Sequence, residues 1–438
     1  MRQLPKPVLE GDTYARFRAS IEPKWIEEAL AATGSATLRK RRLPAEQVIW
    51  LVLGMALQRD RSIADVVASL DLALPGKSPW LAPSASVQAR ARLGAEPVEW
   101  LFRRCSETWA HRAARDDSWR GLALYGVDGT TLRVADTDES REHFGGQSGR
   151  WEGTSGYPLT RAVTLMALRS HLLAAMRFGP YTVDERVYAA QLWPQVPNHS
   201  LCIVDRLFLA ANTLIGLREG GKERHWLTRA TKRSKWTEVE RLGEGDWLVD
   251  MDVSKEARRK NPDLPRLWRL RAIRYCRPGF TPQTLLTSLT DAKRFPASEI
   301  VALYHERWEL ELGFSEVKRI MLQREEALRS KSPRMVAQEL WAIGLAYNLV
   351  RLEMTHLARE AGVPASRISF KRALKLIEHE WHCSNVTRSP GAIPKHLRTL
   401  GEDVLHFVLP PRRDRTYPRA VKIKMSNYPR NRPRVAAN

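Results

Sequence analysis

Four polar residues that could act together in catalysis are spaced along the segment YHERWELELGFSEVK, residues 304–318. Wound as a helix at ~100° per residue, the segment places within an arc of roughly 60° the side chains of Tyr304, Arg307, Glu311 and Lys318. The adjoining arc is apolar and contains Leu303, Leu310, Phe314, Val317 and Ile320. The polar arc therefore borders the buried face, whereas a simple surface helix would turn its charges to the opposite side. From there Arg307 can bind a phosphate with two hydrogen bonds, and Lys318 can add a point charge.

Two aspartates at predicted strand ends could complete a site with Glu311. The apolar run LALYGV predicts a strand that stops at an Asp-Gly turn, at Asp128, and LCIV predicts a buried strand that ends at Asp205. Sheets of α/β proteins usually place their chemistry beyond strand ends. Three carboxylates suit Mg²⁺, a hard cation that prefers oxygen ligands, and Mn²⁺ could substitute for it. Two such ions activate an attacking oxygen and stabilise a leaving one in phosphoryl transfer. Taken singly, Asp128 could be a turn residue and Asp205 a helix N-cap.

The composition favours a polyanionic partner. The 438 residues include 71 Lys+Arg and 49 Asp+Glu, a formal net charge of +22, which most simply indicates nucleic acid. A basic protein with no such partner remains an alternative. The four cysteines form no CxxC pair, which disfavours a disulfide framework or a cysteine-built zinc site. The N-terminus lacks a signal-peptide pattern and no apolar run reaches the ~20 residues of a membrane span. We therefore expect an intracellular protein.

Helical patterns dominate the chain from Trp25 to about Trp119. Residues 44–60 are apolar on nearly all sides, which predicts a buried helix, and residues 62–72 open with a cap-like Ser-x-x-Asp. A short helix over 84–94 would display three polar side chains suited to the major groove of DNA, namely Gln88, Arg90 and Arg92. An ordinary surface helix is the alternative.

Beyond residue 121 strands and helices alternate. Strands are predicted over 122–129, 161–170, 171–179 and 201–205. Helices are predicted over 184–196 and 207–221. Residues 222–290 are mostly strand-like and predict a β-rich insertion, whose last run rejoins the core. Further helices are predicted over 297–321, 333–361 and 365–382, and residues 411–438 are expected to form a basic tail.

The spacing Tyr-x2-Arg-x3-Glu-x6-Lys resembles the C-terminal signature of the insertion-sequence-4 family of DDE transposases. The stretch YGVDGTTL is similar to the family's first aspartate block, and CIVDRLFLA is similar to its second. The runs LLTSL, LRSKSP and QELWAIGLAYNLVR are similar too, so the resemblance covers nearly the whole chain. Two positions depart from it. Leu207 stands where a small residue is usual, and Gln283 stands where some members have a Trp that supports an extruded base, which leaves a hairpin intermediate in doubt.

The resemblance implies a ribonuclease-H-like α/β core interrupted by a β-rich insertion. It implies a metal-binding triad of Asp128, Asp205 and Glu311. It also implies contacts with DNA near the cleaved end from Tyr304, Arg307 and Lys318. The predicted division is a helical DNA-binding domain (1–118), the first part of the core (119–221), the insertion (222–283), the second part of the core (284–330), a C-terminal helical region (331–410) and the tail (411–438).

The predicted function is cut-and-paste DNA transposition. Water would nick the element ends and the exposed 3′-OH would attack target DNA, with no covalent protein intermediate. The expected partners are double-stranded DNA, as terminal repeats and as target, and a second copy of the chain in a synaptic homodimer. The expected location is the bacterial cytoplasm at the nucleoid, away from membranes. Two alternatives remain, a catalytically inactive transposase-derived DNA-binding protein and a structure-specific nuclease on the same core.

Overall fold

The N-terminal region is a bundle of helices, as predicted. The computed structural model describes residues 20–36, 43–69, 83–146, 156–277, 279–323 and 327–386. The first five helices are α1 (Pro23–Ala32), α2 (Ala45–Leu57), α3 (Ile63–Ser69), α4 (Pro83–Leu93) and α5 (Glu96–Asp116). Helix α2 is buried on nearly all sides, in keeping with its apolar sequence. The predicted cap of α3 forms, because the Asp65 amide donates to Ser62 Oγ at 3.1 Å. The tail 411–438 lies outside the described residues.

The strands form one mixed sheet of nine, ordered β3-β2-β1-β4-β5-β9-β8-β7-β6. The core strands are β1 (Ala123–Arg133), β2 (Leu159–Ala167), β3 (Leu173–Pro180), β4 (Ser200–Val204) and β5 (Arg224–Arg229). The remaining strands are β6 (Thr237–Gly243), β7 (Asp246–Asp252), β8 (Leu267–Tyr275) and β9 (Gln283–Thr287). Strand β1 is antiparallel to β2 and parallel to β4, and β4 is parallel to β5. The structure is thus a mixed α/β protein.

Helices cover both faces of the sheet. Between the strands lie α6 (Asp138–Phe144), α7 (Glu185–Ala190), α8 (Ala211–Glu219) and α9 (Lys255–Lys260). After the sheet come α10 (Ala297–Glu306), α11 (Trp308–Ser315), a π-helical turn (Glu316–Met321), α12 (Pro333–Glu360) and α13 (Phe370–Val386). Alternate residues of β1 enter different cores, because Leu124 packs with Leu310 of α11 whereas Tyr125 packs with Tyr188 of α7. None of the described helices is long and apolar enough to cross a membrane.

Three sequence predictions about these elements are wrong. Strand β1 does not stop at Asp128 but runs on to Arg133, because β2 supplies pairing partners as far as Leu159. The strand Arg224–Arg229, assigned to the insertion, pairs in parallel with β4, and the insertion continues the same sheet through β9. The helix predicted over 297–321 is three consecutive segments that change at Arg307 and at Glu316.

Candidate active site

Asp128 and Asp205 directly follow two residues that pair with each other on the neighbouring strands β1 and β4. The last parallel pair between β1 and β4 is Val127 with Val204, and each aspartate is the next residue of its strand. Asp205 occupies the N-cap position of a 3₁₀ turn with extended backbone (φ −70°, ψ 157°). Beyond that point β1 pairs only with β2, with Asp128 opposite Thr164. The parallel pairing of β1 and β4 therefore ends immediately before the two aspartates.

The electrostatic environment of Asp128 favours a bound cation. Burial is the largest cause of a pKa raised to about 7, and the nearby carboxylates of Glu185 and Asp205 act in the same direction. The Gly129 amide, which donates to Asp128 Oδ1 at 2.8 Å, and Arg307 act in the opposite direction. Since burial and like charges both disfavour the carboxylate, a divalent cation would relieve this cost.

Two glycines allow the helix that carries Glu311 to lie close to the sheet. A Cβ at Gly126 of β1 would come within 2.6 Å of Leu310 Cδ2. A Cβ at Gly313 of α11 would come within 2.5 Å of Met166 Cε on β2. Both distances are shorter than real Cβ contacts, so a larger residue at either position would force a neighbouring side chain or α11 to move. The position of Glu311, which follows Leu310, thus depends on glycine at two contacts.

Glu311 is bound to Arg307 in this structure. Arg307 Nη2 donates to Glu311 Oε1 at 2.9 Å, and the Glu311 side chain is 39% exposed. Burial lowers the pKa of Arg307, but electrostatic interactions with Tyr304, Glu311 and Asp205 together outweigh burial and raise it. Arg307 therefore links the Glu311 helix electrostatically to the second aspartate.

The neighbouring glutamates have other partners. Arg169 binds Glu306 with two hydrogen bonds of 2.9 Å. The other two glutamates bind residues of the buried core: Glu309 Oε2 lies 2.8 Å from His171 Nε2, and Glu316 accepts from Tyr347 at 2.9 Å and from Arg351. Of these four glutamates, Glu311 is the one that lies beside Arg307, as the helical arc predicted.

The carboxylates are chemically suited to a hard divalent cation, but they are not arranged as a closed metal cage. Within the described ranges, no three His, Cys, Asp or Glu side chains lie close enough together to hold a metal ion. Asp128 and Asp205 fit one, because they are oxygen donors whose mutual repulsion a cation would remove. Glu311 would join them only after leaving Arg307.

Two further residues of the predicted DNA-contacting set lie beside this site. The ring of Tyr304 is buried, and burial raises its pKa against the opposing effects of Arg307 and Arg229. Lys318 Nζ donates to Thr130 Oγ1 at 3.2 Å, two residues past Asp128 on β1. Lys318 lies in the π-helical turn, a distortion frequent at functional sites. The structure therefore brings the four-residue motif beside the part of β1 that carries Asp128.

The prediction that Arg90 reads DNA bases is wrong. Its side chain is buried, with 3% of the residue exposed. Its guanidinium donates to Gln338 Oε1 and Ser330 Oγ, both at 3.0 Å. Helix α12 covers this side of α4 and uses Arg90 as a structural donor. Gln88 and Arg92 are exposed, and their contact with DNA stays a prediction.

The two departures from the family pattern have a structural setting. Leu207 is 50% exposed, so its larger side chain points to solvent rather than displacing Asp205. Gln283 begins β9, where its Oε1 accepts from Tyr275 at 3.2 Å and from Arg229 at 3.4 Å. Sequence reasoning missed Glu185, the first residue of α7 after the capping Asp184, because that position carries no local signal of function.

Comparisons with known proteins agree with the geometry. Residues 13–103 match the family described as insertion element 4 transposase N-terminal, and residues 121–349 match the transposase DDE domain. The chain is 38% identical over 410 residues to the transposase InsG for insertion sequence element IS4 of Escherichia coli (strain K12), covering 93% of this chain and 92% of that protein.

More distant likenesses were also found. The chain is 36% identical over 228 residues to the putative transposase InsZ of Escherichia coli (strain K12), covering 52% of this chain and 75% of that one. The piggyBac transposase in a synaptic complex with hairpin DNA aligns with a TM-score of 0.42 and 13% identity, over 91% of this chain and 86% of that chain. A structural likeness of that extent supports no conclusion about function.

Proposed function

We propose how this chain, a member of the insertion element 4 family of DDE transposases, carries out its reaction. As a member of that family it is a metal-dependent enzyme that cleaves DNA. Asp128, Asp205 and Glu311 would hold two Mg²⁺ ions, with Mn²⁺ as a substitute. When bound, such ions polarise the scissile phosphate and activate the attacking oxygen. One observation carries the proposal: the two aspartates follow the last parallel pair of β1 and β4, and the Glu311 helix packs on the same strand.

Arg307 would exchange partners when DNA binds. Its guanidinium now neutralises Glu311 at 2.9 Å. A DNA phosphate could accept two charge-assisted hydrogen bonds from Arg307, where Glu311 accepts one, and the exchange would free the Glu311 carboxylate to face Asp128 and Asp205. Lys318, placed over Thr130, would contact a second phosphate as a point charge. The Tyr304 hydroxyl would donate to the DNA end.

We extend the proposal to the architecture. The strand order β3-β2-β1-β4-β5, with β1 antiparallel to β2 and parallel to β4, supports a ribonuclease-H-like core. The strands β6 to β8 would form the insertion, with β9 rejoining the core beside β5, and the helices before residue 119 would bind the element ends, with Gln88 and Arg92 as the exposed candidates. A synaptic homodimer on DNA at the bacterial nucleoid completes the proposal, since two ends must be cut and joined together.

The reaction would proceed in two steps with balanced bonds. Water attacks a phosphorus at the element end, which breaks the P–O3′ bond and releases a 3′-OH. That hydroxyl then attacks a phosphorus of target DNA, forming a new P–O3′ bond and releasing another 3′-OH. The net charge of +22 would serve the binding of both duplexes through their phosphates.

Single-turnover cleavage of a duplex carrying an element end tests the assignment. We expect cleavage with Mg²⁺ and none with EDTA. Glu311→Gln should abolish cleavage and leave binding of the end intact. The matched control is Glu306→Gln, the same change one and a half turns earlier, where loss of the partly exposed bond to Arg169 should cost no more than about 1 kcal/mol of stability. Normal cleavage by Glu311→Gln would refute the triad.

The alternatives predicted from sequence give different results in this assay. A DNA-binding protein without activity would bind authentic ends tightly and cut none, under any divalent metal. A structure-specific nuclease would cut and then fail to join the 3′-OH to a second duplex. Membership in the transposase family, together with the presence of all three acids, favours the enzyme that performs both steps.

A further inference from the structure

We propose that Glu185 is a fourth carboxylate of the catalytic centre, which approaches Asp128 from the opposite face of the sheet to Glu311 and strengthens divalent-cation binding there. The inference rests on the proposed roles of Asp128 and Asp205. It concerns a side chain outside the four-residue motif and both aspartate blocks, on the short helix α7.

The first argument is contact with the backbone beside Asp128. A Cβ at Gly129 would lie 2.3 Å from Glu185 Cδ and 2.4 Å from Glu185 Oε1. The Glu185 carboxyl therefore occupies the space that any side chain at position 129 would need. Glycine follows Asp128 although the strand continues, and a strand interior normally disfavours glycine. Close approach of this carboxylate explains why position 129 is a glycine.

The second argument is the face of the sheet from which each helix approaches β1. Side chains alternate between the faces of a strand, so Gly129 shares a face with Val127, which packs in one core with Tyr188 and Ala189 of α7. Gly126 lies on the other face, against Leu310. Helix α11 thus reaches β1 from one side and α7 from the other. By the same alternation the Asp128 side chain lies on the Gly126 face, and the Glu185 carboxyl approaches from the other face, beside the adjacent Gly129.

The third argument is that the side chain is held in place. Asp184 caps α7 by accepting from the Arg186 amide at 2.8 Å, which fixes the backbone of Glu185 in the first turn. Glu185 Oε2 lies 3.4 Å from Arg161 Nη1 on β2. Arg161 is itself fixed, because its Nη2 donates to the Tyr181 carbonyl at 3.1 Å and its guanidinium lies 4.7 Å from the Tyr181 ring centroid.

The fourth argument is charge. Glu185 interacts by direct Coulombic repulsion with both Asp128 and Asp205, while its side chain is only 14% exposed. Among the described residues, Arg161 is the cation that lies 3.4 Å from Glu185 Oε2; the Gly129 amide also stabilises the carboxylate, and the oxygen on the Gly129 side is Oε1. An ion pair that only stabilised the fold would not require the Glu185 carboxylate to lie near two other carboxylates, those of Asp128 and Asp205. A divalent cation that carries its own water shell would use this oxygen as an acceptor.

Binding of Mn²⁺ to the full-length protein without DNA tests the inference, with free Mn²⁺ measured by electron paramagnetic resonance. We expect Glu185→Gln to weaken binding about tenfold or more, the size seen when residues that support a metal are removed. The matched control is Asp184→Asn, which removes one charge from the adjacent position yet keeps an N-cap. It should change binding by no more than about twofold, because its carboxylate is solvent-screened.

A double-mutant cycle tests the contact with Gly129. Gly129→Ala alone should weaken Mn²⁺ binding as Glu185→Gln does, because the added methyl displaces the carboxyl. In the background of Glu185→Ala the methyl has room, so Gly129→Ala should add little. An equal effect of Gly129→Ala in both backgrounds would refute the contact, and guanidinium unfolding of each variant identifies any that fails to fold.

The outcomes separate this inference from the proposed function. If Asp128→Asn weakens Mn²⁺ binding and Glu185→Gln does not, Glu185 is only the partner of Arg161 and the inference is wrong. If Asp128→Asn also binds Mn²⁺ as the wild type does, the assignment of the catalytic acids fails instead.

Discussion

The approach of the Glu311 helix to the sheet can be tested with one methyl group. Gly126 lies in β1 beneath Leu310, two residues before Asp128 in the chain. In Gly126→Ala the new Cβ would stand 2.6 Å from Leu310 Cδ2 and 2.7 Å from both Cδ1 and Cγ. Three atoms of one branched side chain are therefore in conflict at once, and rotation about χ2 of Leu310 would leave the clash with Cγ.

The size of the displacement follows from these distances. Ordinary contacts begin at 3.4 Å, so the deficit is 3.4 − 2.6, or 0.8 Å. Because Leu310 is fully buried, we expect α11 to shift by up to about 1 Å relative to β1. Such overpacking costs about 1–3 kcal/mol of unfolding free energy. A 1 Å misplacement of a catalytic group can slow a reaction about 100-fold.

Single-turnover cleavage and guanidinium unfolding measure the two effects. Gly126→Ala should cleave about 100-fold more slowly while binding DNA normally. Adding Leu310→Val removes one methylene and should restore part of the rate. The control is Gly216→Ala in α8, where a Cβ meets nothing within 4 Å, so activity should stay unchanged and stability should rise by about 0.4–1 kcal/mol. Wild-type cleavage by Gly126→Ala, or a double variant no faster than the single one, would refute this account of the packing.

Three further outcomes follow from buried charges. In EDTA, Asp128→Asn should have an unfolding free energy higher than the wild type by at most about 4 kcal/mol at pH 8, and by nearly nothing near pH 4. The folded protein holds a proton on Asp128 up to about pH 7, so wild-type stability falls as pH rises through this range. A difference that is constant with pH would contradict the reasoning. Arg90→Ala should cost about 2–4 kcal/mol in guanidinium unfolding because it leaves buried polar partners without a hydrogen bond. Arg92 is exposed, so Arg92→Ala should cost under about 0.5 kcal/mol and should instead weaken DNA binding. Equal stabilities of the two variants would contradict this account. Asp246→Ala should cost about 3–5 kcal/mol, since Arg271 is fully buried and binds Asp246 at 2.6 and 2.7 Å; an unfolding midpoint unchanged from wild type would show that the pair is dispensable.

Helical periodicity was sufficient to choose Glu311 among four glutamates of one segment. The arc of the motif is a local property, and it survives the break between two α-helices at Arg307 because the backbone there stays helical (φ −50°, ψ −28°). The partners that occupy the other glutamates lie far along the chain, from Arg169 to Arg351. Local pattern thus identified the candidate, and only the fold explains why its rivals have other partners.

Features that depend on distant partners could not be predicted. Arg90 appears on a short polar helix and reads as a surface residue, yet Gln338, 248 positions away, buries it. The Asp-Gly pair at 128 and 129 usually marks a turn, but β2 extends the ladder past it. Glu185 has no local signal of function, because its approach depends on the missing side chain of Gly129.

The site also has to remain folded before metal and DNA arrive, and the ion pair of Arg307 explains how. Asp128, Asp205 and Glu185 already repel one another, and a free Glu311 would add a fourth negative charge. Arg307, bound to Glu311 at 2.9 Å and attracted by Asp205, offsets part of this repulsion. A phosphate that attracts Arg307 removes that compensation and at the same time releases Glu311. Binding of DNA would therefore increase the affinity of the acids for a cation, which couples cleavage to the presence of substrate.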